Sequence, residues 1–270
     1  MHSEFACAGK RGAIRLDKRL SVRGMDVQEY LLDPTRKQQY VTTVFEIVAS
    51  SYDHFTRVCS FGRDRAWKRQ LIGWLKPRLL PHHHVLDVAT GTGDFAIALA
   101  DAVPQGHVLG LDISENMIAR ARAAAAAGGH DQVTFEVGDM MQLPLPAGSV
   151  DAITVGYGLR NCPDAAGALR EMARVLKPGG YLAVLEFVRP EQRWWGALFR
   201  RGLLAACQFF GWLWHREPAV YGYLAHSLSH WLSRSELIQA MQQSDFELIQ
   251  LRGKMVGTVC VLLARRGPPH

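Results

Sequence analysis

With 270 residues, 48% of them hydrophobic and 21% charged, the chain can fill one generous globular domain, which excludes a disordered or fibrous protein. Its five cysteines are odd in number and scattered, with no CxxC pair and no Cys/His cluster. That argues against a disulfide framework or a metal site and for a reducing, cytoplasmic compartment. The net charge of +6 suits an anionic partner, nucleic acid or an acidic membrane surface, and equally a basic surface that is simply solvated.

Residues 1–35 read as a loosely ordered leader, dense in base at Lys10, Arg11, Arg15, Lys18, Arg19 and Arg23. It lacks the apolar stretch of a secretory signal; a transit peptide stays open as an alternative with weak support, because Glu4 and Asp17 interrupt the basic run and serine is scarce. Residues 36–80 are helical in pattern, with Val44, Phe45, Val48 and Ala49, then Trp67, Leu71 and Trp74, recurring at helical spacing. The second segment stops near Pro77 and Pro81. The triplet His82-His83-His84 reads as a surface loop rather than a metal site, because adjacent residues entering a strand face opposite ways.

From residue 81 to 270 the texture becomes that of a sheet domain. His84 to Ala89 is a short buried-strand run, followed by a glycine-rich turn and a helix. Val108–Asp112, Val133–Val137 and Ala152–Val155 repeat the strand pattern, with a helix from Met117 to Ala127 and another from Ala165 to about Leu176. Lys177-Pro178-Gly179-Gly180 reads as the turn that opens a fifth strand, Tyr181 to Phe187. Between about 189 and 231 the rhythm breaks, and it resumes with a helix from Ser233, an N-cap with Glu236 three residues on. Two final strands, Phe246–Leu251 and Thr258–Ala264, predict a closing antiparallel hairpin. Alternating strands and helices give an α/β fold with a mostly parallel, seven-stranded Rossmann-like sheet, which binds ligands beyond its strands' carboxyl ends.

The first strand runs into Gly91-Thr92-Gly93, where glycines let backbone turn and approach a ligand closely. Asp112 ends the next strand, 19 residues after Gly93, where a carboxylate can accept from both hydroxyls of a ribose. Asp139 follows the third strand, placed for the adenine side of the same pocket. A dinucleotide fold also carries such a loop and acid, and a tight turn alone would account for the glycines. Asp87 inside the first strand, Asp139 and the final hairpin move the balance toward an S-adenosylmethionine site.

Several segments together resemble the UbiE-type family, the C-methyltransferases of ubiquinone and menaquinone biosynthesis. They are Val44 to Asp53, Ser60-Phe61-Gly62 with Trp67-Lys68-Arg69, Val85 to Asp94, Asp112 to Met117, and most distinctively Gly158-Leu159-Arg160-Asn161. Leu176-Lys177-Pro178-Gly179-Gly180 and Leu185-Glu186-Phe187 continue the match, with a thinner echo at Tyr223-Leu224-Ala225. The resemblance implies a class I methyltransferase in which Asp87, Gly91, Thr92, Gly93 and Asp112 hold S-adenosylmethionine, with Asp139 and Met140 beside the adenine. It implies that Arg160 and Asn161 lie at the substrate face and organise deprotonation of a quinol ring. Two departures concern the substrate side: His54-Phe55-Thr56-Arg57 replaces the family's Asn-containing turn, and its tyrosine-rich stretch after strand five is not recognisable between Arg193 and His215.

A carbon nucleophile needs a phenolic proton removed or polarised. Tyr52, His54 or a water near Arg160 and Asn161 is the expected acceptor, imidazole being a common general base and His54 being equally readable as a surface histidine. The insertion holds Trp194, Trp195, Leu198, Phe199, Phe209, Phe210, Trp212 and Trp214 among Arg189, Arg193, Arg200, Arg201 and Arg216. Its apolar run is too short for a membrane span. A lid over a lipophilic substrate that also touches the inner face of the membrane is expected over residues 193–216, beside the readings of a core helix or an oligomer contact. A homodimer or a biosynthetic complex is compatible with the sequence. Nucleic acid is not an expected partner, because GLRN stands where amine methyltransferases of nucleic acids carry a proline-rich tetrapeptide. A relative acting on another lipophilic aromatic, or a SAM-binding scaffold without catalysis, are the alternatives.

Overall fold

The structure is a computed structural model that describes residues 33–49, 52–215, 226–228 and 230–268. Most of the expected leader and the Tyr223-Leu224-Ala225 echo lie outside the described residues.

Three helices precede the sheet: α1 (Pro34–Val48), α2 (Tyr52–Cys59) and α3 (Asp64–Leu75). Strands and helices then alternate as β1 (His84–Val88), α4 (Asp94–Ala100), β2 (His107–Asp112), α5 (Glu115–Gly128), β3 (Val133–Val137), β4 (Val150–Gly156), α6 (Ala165–Val175) and β5 (Leu176–Phe187). The long helix α7 (Arg193–His215), then α8 (Arg234–Gln242), β6 (Phe246–Lys254) and β7 (Val259–Arg266) complete the fold.

The seven strands form one sheet in the order β3-β2-β1-β4-β5-β7-β6. β1 to β5 are parallel, and β7 runs antiparallel to both its neighbours. Strand order reverses between β1 and β4, so the crevice for a ligand opens beyond their carboxyl ends. Side-chain alternation splits the core in two. Val259, Val261 and Leu263 of β7 pack with α3, α4 and α5, while Cys260, Leu262 and Ala264 face α6 and α8.

Two local features differ from the sequence pattern. Leu176-Lys177-Pro178-Gly179-Gly180 belongs to β5 rather than preceding it, because Leu176 already pairs with Val150. The next pairing is Ala152 with Tyr181, so residues 177–180 form a bulge that needs Gly179 at φ 79°. β6 likewise runs through Gly253 to Lys254, and the turn of the hairpin is Met255–Gly257.

The 189–231 excursion is clasped at its base. Arg189 N donates to Leu232 O at 3.0 Å, and the Arg189 guanidinium grips Glu236 at 2.8 Å. Ser233 and Glu236 exchange the two hydrogen bonds of a capping box at the start of α8. On α7, Phe199 and Leu203 pack against the core and Cys207 is buried, whereas Leu198, Phe209, Trp212 and Leu213 stay exposed. Among the described residues no helix is long and apolar enough to cross a membrane. No cluster of theirs could hold a metal ion.

Candidate active site

A solvent-open cleft, its empty space about 970 Å³ with the open mouth included, sits at the β1/β4 switch point. Its floor is made where three strands end: Val88 and Ala89 after β1, Leu111 and Asp112 after β2, Gly156 and Tyr157 after β4. Ala89 and Tyr157 take left-handed backbone conformations at φ 52° and 59°. Such strain persists only where surrounding structure enforces it, and it concentrates at functional sites.

The loop after β1 is held from beneath. Asp87 is 1% exposed, and its carboxylate accepts from Thr154 Oγ1 and Thr90 Oγ1, each at 2.6 Å, and from Ala96 N at 3.2 Å. Burial nevertheless raises its pKa to about 6. Asp87 is therefore not a cavity-lining residue, contrary to its expected contact with cofactor: it points to the α4 side of the sheet and anchors the loop. Gly93 is also beneath the surface, at φ 89° and with Phe135 Cζ 2.8 Å from where a Cβ would stand. Gly91 and Thr92 do line the cavity, and a Cβ on Gly91 would meet open space.

Asp112 behaves as a preset acceptor. Its Oδ2 receives Gly91 N at 2.9 Å and its Oδ1 receives Ser114 N at 3.0 Å, which fixes the carboxylate and leaves lone pairs toward the cavity. It is 8% exposed, and burial raises its pKa. A buried carboxylate with only neutral partners among these bonds fits a ligand that brings hydroxyl donors and positive charge. Asp139 and Met140 line the opposite wall, with Asp139 accepting from Met141 N at 2.9 Å and from Gln38 Nε2 at 2.5 Å.

The helical preface closes the cavity from above. Gln38, Val41 and Phe45 of α1 line it at intervals of three and four residues, one helix face. The α1 helix docks on α5 through Glu46, whose backbone O accepts from Asn116 Nδ2 at 3.2 Å. Lys68 of α3 also reaches the cavity and pairs with Asp94 at 2.6 Å. The Ser60-Phe61-Gly62…Trp67-Lys68-Arg69 segment thereby acquires a physical role. Ser60 Oγ accepts from Asp64 N at 3.2 Å as α3 begins, Trp67 is buried, and Lys68 extends to the start of α4. These α1 and α3 contributors were not singled out from the sequence, although Phe45 and Lys68 sit inside the segments that carried the resemblance.

On the substrate side the outcome is mixed. Asn161 lines the cavity with Cys162 and Pro163, and its Nδ2 donates to Tyr157 O at 3.2 Å. Arg160 does not. It is 5% exposed, its Nη1 donates to Glu186 Oε1 at 2.8 Å and to Tyr157 O at 3.0 Å, and its guanidinium lies over the Phe187 ring. The expectation of Arg160 at the substrate face is corrected: in the Leu159–Asn161 turn successive side chains diverge, so Asn161 faces the cavity and Arg160 faces β5. His54 is exposed on α2 and is not among the cavity-lining residues, which corrects its expected place as proton acceptor. The Tyr52 side chain lies outside what the structure describes.

Comparison with known proteins agrees with this geometry. The model of the ubiE/COQ5 methyltransferase family matches residues 34–266. A demethylmenaquinone methyltransferase of Listeria welshimeri is 35% identical over 79% of this chain and 90% of its own length. A ubiquinone/menaquinone biosynthesis C-methyltransferase UbiE of Bartonella tribocorum is 34% identical over 86% and 89%. Among solved structures, a SAM-dependent methyltransferase from Methanosarcina mazei superposes with a TM-score of 0.55 at 22% identity, over 73% of this chain and 98% of that one. The [4+2]-cyclase SpnF gives 0.58 at 20%, over 76% and 81%, which shows that the fold alone does not specify the reaction. The chain belongs to the ubiE/COQ5 methyltransferase family, and its cofactor is S-adenosylmethionine.

Proposed function

We propose that this chain methylates a ring carbon of a quinol that bears an isoprenoid tail, a demethylated naphthoquinol or benzoquinol. The observation that carries the reading is the meeting, in one cavity, of the Gly91–Asp112 cofactor cradle with Asn161, Cys162 and Pro163 of the turn after β4. The relatives' names, demethylmenaquinone methyltransferase and ubiquinone/menaquinone C-methyltransferase, point to the same substrate class.

S-adenosylmethionine, when bound, supplies the electrophilic methyl group. The residues of this chain supply the rest. Asp112 takes ribose hydroxyls, Asp139 and Met140 border the adenine, and the α1 residues Val41 and Phe45 exclude water from the reacting centre. Asn161 presents an amide to the quinol oxygens.

The tail of such a substrate resides in a membrane, and α7 offers the surface to reach it. The helix contains no Asp or Glu in 23 residues, and it exposes Leu198, Phe209, Trp212 and Leu213. Phe61, at the turn after α2, is 80% exposed, and α2 contacts α7. Apolar anchors with arginines and no acid suit the interface of an anionic bilayer.

Incubation with S-adenosylmethionine and chemically reduced demethylmenaquinone or demethylated benzoquinol, with products weighed by mass spectrometry, tests the reading. A product heavier by one methylene unit and methylated on ring carbon is expected. Protein that binds S-adenosylmethionine yet methylates none of these quinols removes the substrate assignment.

A further inference from the structure

On the reading above, Asp139 and Met140 after β3 border the adenine, and Asp112 at the end of β2 takes the ribose. The strands stand in the order β3-β2-β1-β4, so the cofactor continues past the ribose toward the ends of β1 and β4. What remains for that place is the amino-acid arm, which carries an α-carboxylate and an α-ammonium.

The cleft is poor in positive charge. Its charged lining residues are Lys68, Asp94, Asp112 and Asp139, and Lys68 is the only base among the described lining residues. A ligand carboxylate entering beside three protein carboxylates needs a cation to offset its desolvation. Asp94 opens α4, the helix that follows β1, so the Lys68–Asp94 pair stands at the end of the cleft where the arm belongs.

The fold aims Lys68 there. Trp67, its neighbour on α3, is buried in the core, and Asp64 lies one helical turn back with its Oδ2 4.0 Å from Lys68 Nζ. Asp64 is itself buried, hydrogen-bonded to Ser60 and not a lining residue. The Lys68 side chain is 18% exposed and reaches 2.6 Å from Asp94 Oδ2, whose side chain is 54% exposed. An ammonium has three donors, of which Asp94 takes one. As a plain bridge between two helices, such a half-exposed pair would contribute little.

We propose that Lys68 and Asp94 form the subsite for the amino-acid arm of S-adenosylmethionine, Lys68 taking its carboxylate and Asp94 its ammonium. One protein ion pair is exchanged for two between protein and ligand, so neither arriving charge is left without a partner. The Ser60…Lys68 segment then serves cofactor binding: Ser60 starts α3, Trp67 fixes it, and Lys68 presents the charge. The assignment rests on the cofactor placement above and holds whichever aromatic accepts the methyl.

The test is calorimetric titration of three ligands that differ only toward this end. S-adenosylmethionine carries both charges of the arm, its decarboxylated form keeps the amine alone, and 5′-methylthioadenosine has neither. Lys68→Met is expected to weaken S-adenosylmethionine about 10- to 100-fold, the loss of a charged hydrogen bond. It should leave 5′-methylthioadenosine unchanged, and the decarboxylated form unchanged or tighter. Asp94→Asn is expected to weaken both amine-bearing ligands and spare 5′-methylthioadenosine. Lys68→Arg, which keeps the charge, is expected to recover most of what Lys68→Met loses.

Undiminished binding of S-adenosylmethionine by Lys68→Met overturns the proposal, because the carboxylate is then held elsewhere. Equal weakening of all three ligands overturns it too, since Lys68 would then support the shape of the cleft. So does Lys68→Arg no better than Lys68→Met, or Asp94→Asn that spares the decarboxylated form. No quinol enters these titrations, so a failed methylation assay and a failed subsite are read separately.

Discussion

Arg160 Nη1 and Glu186 Oε1 lie 2.8 Å apart, with side chains 5% and 0% exposed, joining the turn after β4 to the end of β5. Glu186 also accepts from the backbone N of Arg160 and of Phe187, so the carboxylate organises the turn as well as the charge. Burial still raises its pKa against the pull of Arg160, which marks the pair as costly to desolvate.

Breaking such a pair leaves one buried charge uncompensated. Arg160→Ala or Glu186→Ala is expected to lose about 3–5 kcal/mol in urea denaturation. The double substitution Arg160→Met with Glu186→Leu is expected to lose less than either single change. It should retain S-adenosylmethionine affinity, because neither side chain lines the cavity. A double variant no more stable than the singles would contradict the assignment of a structural ion pair.

Asp112 is the acceptor on which cofactor affinity turns. Replacing it with alanine removes hydrogen bonds to a charged group worth roughly 1.5–3 kcal/mol each, and it also frees Gly91 N and Ser114 N. The expected result is a dissociation constant for S-adenosylmethionine raised about 100-fold or more, read by calorimetry. Undiminished binding would show that the ribose lies elsewhere.

Gly158 opens the turn that presents Asn161, and a Cβ there would stand 2.5 Å from the Ala89 Cβ. Ala89 already sits at φ 52° in the cofactor loop, so it has little freedom to withdraw. Gly158→Ala is expected to cost about 1–3 kcal/mol of stability and to weaken cofactor and quinol binding together. Thermal melts with and without S-adenosylmethionine separate the two effects.

Local sequence carried the sheet and the cofactor loop because their signals are local. Short apolar runs, the Gly91-Thr92-Gly93 turn and Asp112 at the next strand's end each announce themselves within a few residues. The fate of Arg160 was not legible in the same way, because its partner Glu186 is 26 residues on, in the neighbouring strand. Asp87 shows the converse. A carboxylate in a strand was noticed, but only the register that sets it opposite Thr154 reveals that it binds the protein rather than the ligand. The α1 ceiling of Gln38, Val41 and Phe45 depends on docking across the sheet's edge, which helical periodicity does not specify.

Asp87 gives the fold a pH dependence with a defined sign. Its folded pKa of about 6 lies above its ordinary 3.8, so the folded state prefers the protonated carboxyl. That contribution is full below about pH 4 and is lost as pH rises through about 6. In Asp87→Asn the side chain is neutral throughout. The stability of wild type minus that of Asp87→Asn is therefore expected to fall by up to about 3 kcal/mol between pH 4 and pH 7, measured by denaturation at each pH. A difference that is flat, or that grows with pH, would mean the carboxylate is not held in the desolvated state described.

The outer face of α7 sets the last expectation. Leu198, Phe209, Trp212 and Leu213 are 59%, 55%, 49% and 48% exposed, a density of large apolar groups that water alone does not favour. Arg201 on the same side is exposed, and the helix has no acid to repel a negative surface. Each aromatic entering the interface adds apolar burial, and each arginine adds about 1 kcal/mol near an anionic leaflet. Phe209→Glu with Trp212→Glu is therefore expected to abolish sedimentation with phosphatidylglycerol vesicles. Because cofactor contacts lie on other elements, it should leave S-adenosylmethionine affinity unchanged. Binding of wild type should weaken as salt rises, since the arginine contribution is screened while the apolar one remains. Equal sedimentation of wild type and variant would assign this face to a protein neighbour, and equilibrium ultracentrifugation of the two proteins would then show whether that neighbour is a second copy of the chain.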